Sequence, residues 1–304
     1  MAAGTRVLRR AGIAAAVVLL LAIGAIWWLL APLRASAQDA AVRISKVEGT
    51  SWRPDRGDPL FIAVLGSDAR RAAPSGGGGR CDAIHIVAIN PQTKSGTILN
   101  FPRDSYVSVA GMGTTKINAA CTRGGAPNMV QTLKNLTGIP IHYYAITEFT
   151  HFVAFIDEIG SLEVQVPYRM RDSASGADFL PGARPMQGSQ VLAFSRNRKD
   201  TPRGDFSRAE NQGIVIISAA HKFRFEANTN PHRIFEYMRI ARRHIASDVP
   251  TSELIKLALL ARDIDPLKLA NITIAGSTGS AGAASVVFLA PGDTYARVRD
   301  DAIY

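Results

Sequence analysis

Between residues 196 and 208 the chain reads RNRKDTPRGDFSR: four arginines, a lysine and two aspartates within one short stretch. Four more charged clusters precede it. VLGSDAR (64–70) carries Asp68 and Arg70, GRCDAIHIVAI (79–89) carries Arg80 and Asp82, and LNFPRDSYV (99–107) carries Arg103 and Asp104. KINAACTRGG (116–125) adds Lys116, Asn118 and Arg123. Taken singly, each has an ordinary structural use, since a strand-end aspartate caps a turn and an arginine pair faces solvent. Together, at the loop ends of one domain, they call for a ligand with several phosphates. Guanidinium forks bind phosphate oxygens through paired N–H donors, and two aspartates can hold a Mg²⁺ that bridges two phosphates. Neither GGGGR (76–80) nor GMGTTK (111–116) is a Walker loop, and no G-x-S-x-G elbow or HExxH pair occurs.

The 304 residues, 47% hydrophobic and 20% charged, suit one large domain or two small ones with an ample core. A net charge of +10 favours anionic partners. Residues 11–33 contain no charged side chain and follow Arg6, Arg9 and Arg10. As a helix that run is about 34 Å long, enough to cross a bilayer core of about 30 Å. The positive-inside rule leaves residues 1–10 as a cytoplasmic tail, 11–33 as a single transmembrane anchor, 34–58 as a juxtamembrane linker and 59–304 as an extracytoplasmic domain. Ala35-Ser36-Ala37 resembles a signal-peptidase site, but the apolar run is longer than a signal core, so a retained anchor in the cell membrane is expected. An exported domain meets no DNA, and no helix-turn-helix pattern joins the basic stretch, which argues against nucleic acid. Outside the cell Cys81 and Cys121, the only cysteines, are expected to pair; two separate buried thiols are the alternative.

The charged clusters are hung on short apolar runs bounded by turn residues. Strands are expected at 59–66, 83–89, 96–101, 141–147, 161–167, 269–276 and 285–290. Helical spacing appears at 126–138, 148–160, 187–195, 204–223, 230–245 and 250–262, and residues 168–186 read as irregular. Strands interleaved with helices predict a three-layer α/β/α domain around a central mixed β-sheet. Such sheets bind ligands where strands end and helices begin, which is where the clusters fall.

GSDAR, RCD, FPRDSYV, KINAA and RNR…GDFSRAENQ occur in the order and spacing of the LytR-CpsA-Psr (LCP) proteins of Gram-positive cell walls, and the chain resembles that family over roughly residues 59–225. The alanine- and arginine-rich composition fits an actinobacterial source. The resemblance implies a phosphotransferase that moves a glycopolymer from a polyprenyl-pyrophosphate carrier to a peptidoglycan hydroxyl, leaving a phosphodiester. It implies Mg²⁺ (or Mn²⁺) on Asp68 and Asp82, and pyrophosphate held by Arg70, Arg80, Arg103, Arg196, Arg198 and Arg208. Asp104 would organise the arginines, Lys116 and Asn118 would stand at the pocket mouth, and Gln212 would follow the last arginine. One departure is Asn211, where the family commonly has a second arginine; RCD also replaces the commoner RSD.

Splitting a pyrophosphate builds negative charge on the leaving phosphate, which placed arginines and Mg²⁺ stabilise more than the ground state. Asp104 and Asp205 are both candidates to take the acceptor proton, and direct transfer is expected because no activated nucleophile is visible. A prenyl tunnel is expected between the sheet and the apolar segments 152–155, 211–223 and 286–290. Two other readings keep part of the chemistry: a lipid-pyrophosphate phosphatase using water, and a non-catalytic binder of wall polymer or lipid phosphate.

Overall fold

The apolar runs carry hydrophobic side chains on both faces, so they settle into one sheet covered from both sides. The computed structural model describes residues 52–53, 56–68 and 79–304. All of these belong to one unit, Ala41–Tyr304. The expected tail (1–10), transmembrane segment (11–33), most of the linker and Arg70 lie outside the described residues. Among the described residues no helix is long and apolar enough to cross a membrane.

Strands β1 (Leu60–Ser67), β2 (Cys81–Asn90) and β3 (Ser95–Asn100) form an antiparallel meander. The hairpin of β4 (Tyr106–Val109) and β5 (Gly113–Lys116) follows, then helix α1 (Ala120–Thr137) leads to β6 (Tyr143–Glu148), which pairs parallel with β1. Two later strands, β11 (Ala246–Ser247) and β12 (Leu269–Thr273), extend the sheet to the mixed order β11–β6–β1–β2–β3–β12.

Alternation along β1 sets the two layers of cover. Phe61, Ala63 and Leu65 pack with Met129, Val130 and Leu133 of α1 and with Val298 of α7 (Thr294–Asp301). Leu60 and Ile62 pack the opposite way, with Ile264 and with Leu257 and Leu260 of α6 (Thr251–Asp263). Each fully buried Leu, Met or Phe in these layers contributes about 1.5–3 kcal/mol of hydrophobic stabilisation. Helix α4 (Asp205–Thr229) packs against β2, β3 and β12. It approaches so closely that a Cβ on Gly213 would stand 1.9 Å from Asn271 Oδ1 and 2.9 Å from Asn100 Oδ1. Any side chain there would push Asn271 and Asn100 aside.

A second apolar cluster joins α2 (Phe149–Ile159), β7 (Leu162–Val166), β8 (Met170–Asp172), β9 (Ala177–Phe179), β10 (Gly182–Met186), α3 (Gly188–Arg196), α4 and α5 (His232–His244). Residues 168–186 are therefore not irregular. They form β8–β9 and the β10 partner of β7, and strands of three residues are too short for alternation to register in sequence. The helix expected from 126 is present; within α1 it joins a short helical segment from Ala120 across a break at Gly125 (φ 62°, ψ −152°), just before Pro127. Its expected glycine stop is Gly138, in the left-handed conformation. The run 269–276 ends earlier than expected, since Gly276 opens a hairpin, β13 (Gly276–Ala281) with β14 (Ala284–Leu289).

Cys81, opening β2, is disulfide-bonded to Cys121, near the start of α1, with Cα atoms 5.7 Å apart. The bridge closes a loop of 40 residues. In the chain-entropy model this stabilises the fold by about 4 kcal/mol. Cys81→Ser/Cys121→Ser is expected to lower the thermal midpoint by several degrees, and reductant is expected to do the same to the wild type; a midpoint unmoved by either would show that the bridge adds nothing.

Candidate active site

The site begins where β1 and β2 part. Gly66 pairs with Ala83 and Ser67 with Cys81, so the register skips Asp82 and leaves it unpaired in a bulge. Cys81 is fully buried in the α1 layer, and Asp82 lines a cavity on the other side of the sheet. Beyond the bulge, Arg80 N–H donates to Asp68 Oδ1 at 2.7 Å and Asp68 N–H to the Arg80 carbonyl at 3.0 Å.

Strand β3 ends at a turn stapled by its own backbone. The Pro102 carbonyl accepts from the Ser105 N–H at 3.0 Å and from Ser105 Oγ at 2.6 Å. The KINAA segment holds the turn from behind: Ile117 N–H donates to the Ser105 carbonyl at 2.7 Å and Asn118 N–H to that of Arg103 at 3.2 Å. Arg103 is thereby aimed at Asp82, with Nη1 2.7 Å from Oδ2. Burial works against its charge, but the Asp82 hydrogen bond and the carboxylates of Asp82, Asp104 and Asp205 together hold this guanidinium above its ordinary range. Asp104 takes Lys116 Nζ at 3.0 Å on one oxygen and Arg198 Nη1 at 3.7 Å on the other.

The end of α3 and the start of α4 supply the remaining cations. Arg196 lies over the Phe149 ring, 5.3 Å from its centroid, a cation–π contact that fixes the guanidinium. Arg208 pairs with Asp205 one turn earlier, both side chains being 7% exposed. Burial pushes the Arg208 pKa down, and Asp205 opposes that shift. Gln212 Nε2 donates to the Ser195 carbonyl at 3.1 Å and the Asp82 carbonyl at 3.4 Å, tying the three elements together.

The result is one cavity of about 430 Å³ lined by both charged and apolar side chains. Arg103, Arg196, Arg198, Lys199 and Arg208 line it together with the carboxylates Asp82, Glu148 and Asp172, and Val64, Phe149, Phe152, Leu192, Val215 and Ile216 supply apolar surface. Asp82 Oδ1, Arg103 Nε and Arg208 Nε are buried without hydrogen-bond partners. Such orphans cost about 1–3 kcal/mol each unless something binds them. An anion that accepts from both guanidinium groups satisfies two of the three, and a cation on Asp82 the third. That lining suits a ligand with an anionic head and an apolar tail.

Of the residues named from sequence, the structure brings Asp82, Arg103, Arg196, Arg198, Arg208 and Gln212 to this wall. It does not bring all of them. Arg80 is exposed and held by its backbone to Asp68, and neither lines the cavity. Lys116 and Asn118 stand behind the Arg103–Asp104 turn, where they brace it instead of touching the cavity. Asp104 and Asp205 line a neighbouring cavity instead of this one. Of the expected tunnel walls, Phe152, Val215 and Ile216 take part, but segment 286–290 does not. Asn211 is 1% exposed and donates from Nδ2 to Tyr168 Oη at 3.1 Å, so this position serves packing between α4 and the loop before β8.

Sequence reasoning missed Lys199 and His85. Lys199 sat unnoticed among stronger arginines. His85 faces the cavity from β2, 2% exposed, with Nδ1 2.8 Å from Asn100 Oδ1; only its place on the same strand face as Asp82's cavity could have flagged it. Burial lowers its pKa from 6.5 to about 4, so the ring is neutral and adds no charge beside the arginines. Because the folded ring binds its proton later than the unfolded one, its contribution is complete above pH 6.5 and falls toward pH 4, at up to about 1.4 kcal/mol per pH unit. His142 is lowered to about 4 as well, by burial and then by Lys134, and adds a second such contribution. Denaturant midpoints measured across that window are expected to fall with pH, and His85→Asn to flatten the slope by roughly half; an unchanged slope contradicts a buried neutral ring.

Residues 32–302 match the family model described as the LytR_cpsA_psr family. The chain is 30% identical over 246 residues to "Polyisoprenyl-teichoic acid--peptidoglycan teichoic acid transferase TagV" of Bacillus subtilis (strain 168), spanning 78% of this chain and 60% of that protein. It is 31% identical over 192 residues to TagU of Bacillus mycoides (strain KBAB4), with 63% and 59% covered. The chain thus spans about 60% of the length of these curated relatives. Among solved structures, B. subtilis TagV superposes with a TM-score of 0.69 at 27% identity, covering 81% of this chain and 96% of that one. A structure described as TagT bound to LI-WTA gives 0.66 at 20% identity over 86% and 98%, a likeness of fold. With the cavity built from its family motifs and nearly the whole chain matched, the protein belongs to the LytR_cpsA_psr family.

Proposed function

We propose that this protein is a phosphotransferase that moves a glycopolymer from a polyprenyl-pyrophosphate carrier to a hydroxyl of peptidoglycan. The observation that carries the reading is the single cavity lined by both guanidinium groups and apolar side chains. It fits a diphosphate joined to a hydrocarbon chain, and relatives that share the fold are named polyisoprenyl-teichoic acid–peptidoglycan teichoic acid transferases.

The prenyl chain occupies the part lined by Phe152, Leu192, Val215 and Ile216, and the diphosphate meets Arg103, Arg196, Arg198 and Arg208. The acceptor oxygen attacks the phosphorus that carries the glycopolymer. A new P–O bond forms, the bond to the bridging oxygen breaks, and polyprenyl phosphate departs with the electron pair. The acceptor proton passes to a carboxylate, Asp104 or Asp205. Fixed guanidinium groups follow the charge that grows on the leaving phosphate, and they act best where water is excluded.

The donor set fits a hard divalent cation. Asp82 Oδ1 is a buried acceptor without a partner, while Asp68, just past the end of β1, lies outside the cavity with Oδ1 accepting from the Arg80 N–H. No group of three or more His, Cys, Asp or Glu is placed to hold a metal among the described residues. Mg²⁺ commonly uses one or two carboxylates and completes its shell with substrate phosphates and water. When bound, Mg²⁺ (or Mn²⁺) would neutralise diphosphate charge. We also read 11–33 as a retained anchor that keeps the site beside the membrane holding its lipid donor; protease added outside intact cells should then cleave within residues 59–304.

The reading is tested by incubating the full chain in detergent with a labelled polyprenyl-pyrophosphate glycan and a peptidoglycan fragment, with Mg²⁺ or with chelator. A Mg²⁺-dependent phosphodiester product supports it. Release of free polymer phosphate alone would make the protein a phosphatase, and binding without turnover a carrier protein.

A further inference from the structure

A second cavity, about 680 Å³, lies against the first, and Arg198 lines both. Cations outnumber carboxylates in the first, where Arg103, Arg196, Lys199 and Arg208 stand with Asp82, Glu148 and Asp172, whereas the second holds Asp104 and Asp205 with Arg203. The contact between Asp104 Oδ2 and Arg198 Nη1, 3.7 Å, marks the boundary.

The far wall of the second cavity is the β13–β14 hairpin, which presents Ser277, Thr278 and Ser285. These three residues are exposed, and their hydroxyls have no protein hydrogen-bond partner among the described residues. The hairpin is nonetheless fixed. Val287 N–H donates to the Asp104 carbonyl at 2.9 Å, Ser105 bridges to Val287, and Phe288 meets Tyr106 edge-on at 6.0 Å between centroids. Val286 and Val287 are 1% and 2% exposed, which anchors the strand from beneath. The hairpin, with Thr278 and Ser285 on one face and Ser277 on the other, is therefore held beside Asp104.

We propose that this second cavity is the acceptor subsite, which takes a saccharide of peptidoglycan. The inference rests on the transfer reading above and extends it to residues outside the family motifs. Transfer needs two reactants with opposite demands: an anionic donor that wants cations, and a neutral hydroxyl that must shed a proton to a base. The two cavities separate these demands. The hydroxyls of Ser277, Thr278 and Ser285 can both donate to and accept from sugar hydroxyls and amides, so the hairpin selects the acceptor while the arginine cavity selects the donor. The acceptor hydroxyl lies toward Asp104 and Asp205, and its oxygen reaches the phosphorus across Arg198.

Binding of a peptidoglycan disaccharide-peptide fragment to the full chain, measured by calorimetry, tests the assignment without requiring turnover. Ser277→Ala/Thr278→Val/Ser285→Ala is expected to weaken fragment binding by about tenfold or more, while affinity for a prenyl diphosphate and the thermal midpoint stay as in the wild type. Ser277→Trp, which fills the cavity, is expected to abolish fragment binding and leave prenyl diphosphate binding unchanged. Failure of the wild type to bind the fragment, equal fragment binding by the wild type and both variants, or equal loss of both ligands would overturn the subsite. Fragment binding that behaves as expected without any phosphodiester product would leave the subsite standing and refute the transfer reading instead.

Discussion

Arg103→Ala is expected to lower turnover by about 10²–10³-fold, the usual cost of removing one placed donor from a developing anion. Arg103 is singled out because three conditions meet on it. It is fixed on a backbone-stapled turn, it is paired to Asp82 at 2.7 Å, and its Nε is buried without a partner. The loss should fall mainly on kcat, since the guanidinium gains most as charge moves onto the leaving phosphate. Arg103→Lys restores the charge without the planar fork and should recover only part of the rate. Steady-state kinetics with varied donor checks this. An equal rise in donor KM with kcat untouched would mean that Arg103 merely holds the ground state.

The pair Asp205–Arg208 carries the second large effect, this time on stability. Both side chains are 7% exposed, so removing one leaves its partner charged in a poorly solvated place. Asp205→Ala is expected to cost about 3–5 kcal/mol in denaturant unfolding. Asp205→Leu/Arg208→Met removes both charges and is expected to regain most of that loss, because an apolar pair of similar volume often matches a buried ion pair. The double variant should still be inactive, as Arg208 lines the donor cavity. That outcome separates the reason the pair is tolerated, its chemistry, from any service to the fold. A double variant as unstable as Asp205→Ala would instead make the pair structural.

How much of this was legible in the chain follows from the range of the forces involved. Strands β1, β2 and β3 were readable because each is an uninterrupted apolar run between turn residues, and such a pattern is local. So were α2 with its glycine stop at Gly160 and the helix that opens at Asp205. The cluster Asp82, Arg103, Arg196, Arg198 and Arg208 was legible as motifs. What was not legible was which side of each motif meets the cavity. A bulge one residue wide decides that Asp82 enters and Arg80 does not. Lys116 and Asn118 look like ligand contacts by type, yet their backbone and charge are used up bracing the turn at Arg103 and Asp104. Asn211 looks like a lost cation, but its amide is engaged by Tyr168 on another element. The β13–β14 hairpin carried no charged signature at all, and its importance comes only from the Val287–Asp104 backbone bond, a contact between segments far apart in sequence.

One titration reaches the centre of this account: calorimetric binding of a short-chain prenyl diphosphate, the matching prenol and inorganic pyrophosphate to the full chain, each with Mg²⁺. If head and tail share the cavity between Arg103 and Val215, the prenyl diphosphate binds at least about a hundredfold tighter than either half alone, and Asp205→Leu/Arg208→Met weakens the diphosphate but not the prenol. Equal affinity for prenol and prenyl diphosphate, or tight pyrophosphate binding indifferent to the chain, would contradict it.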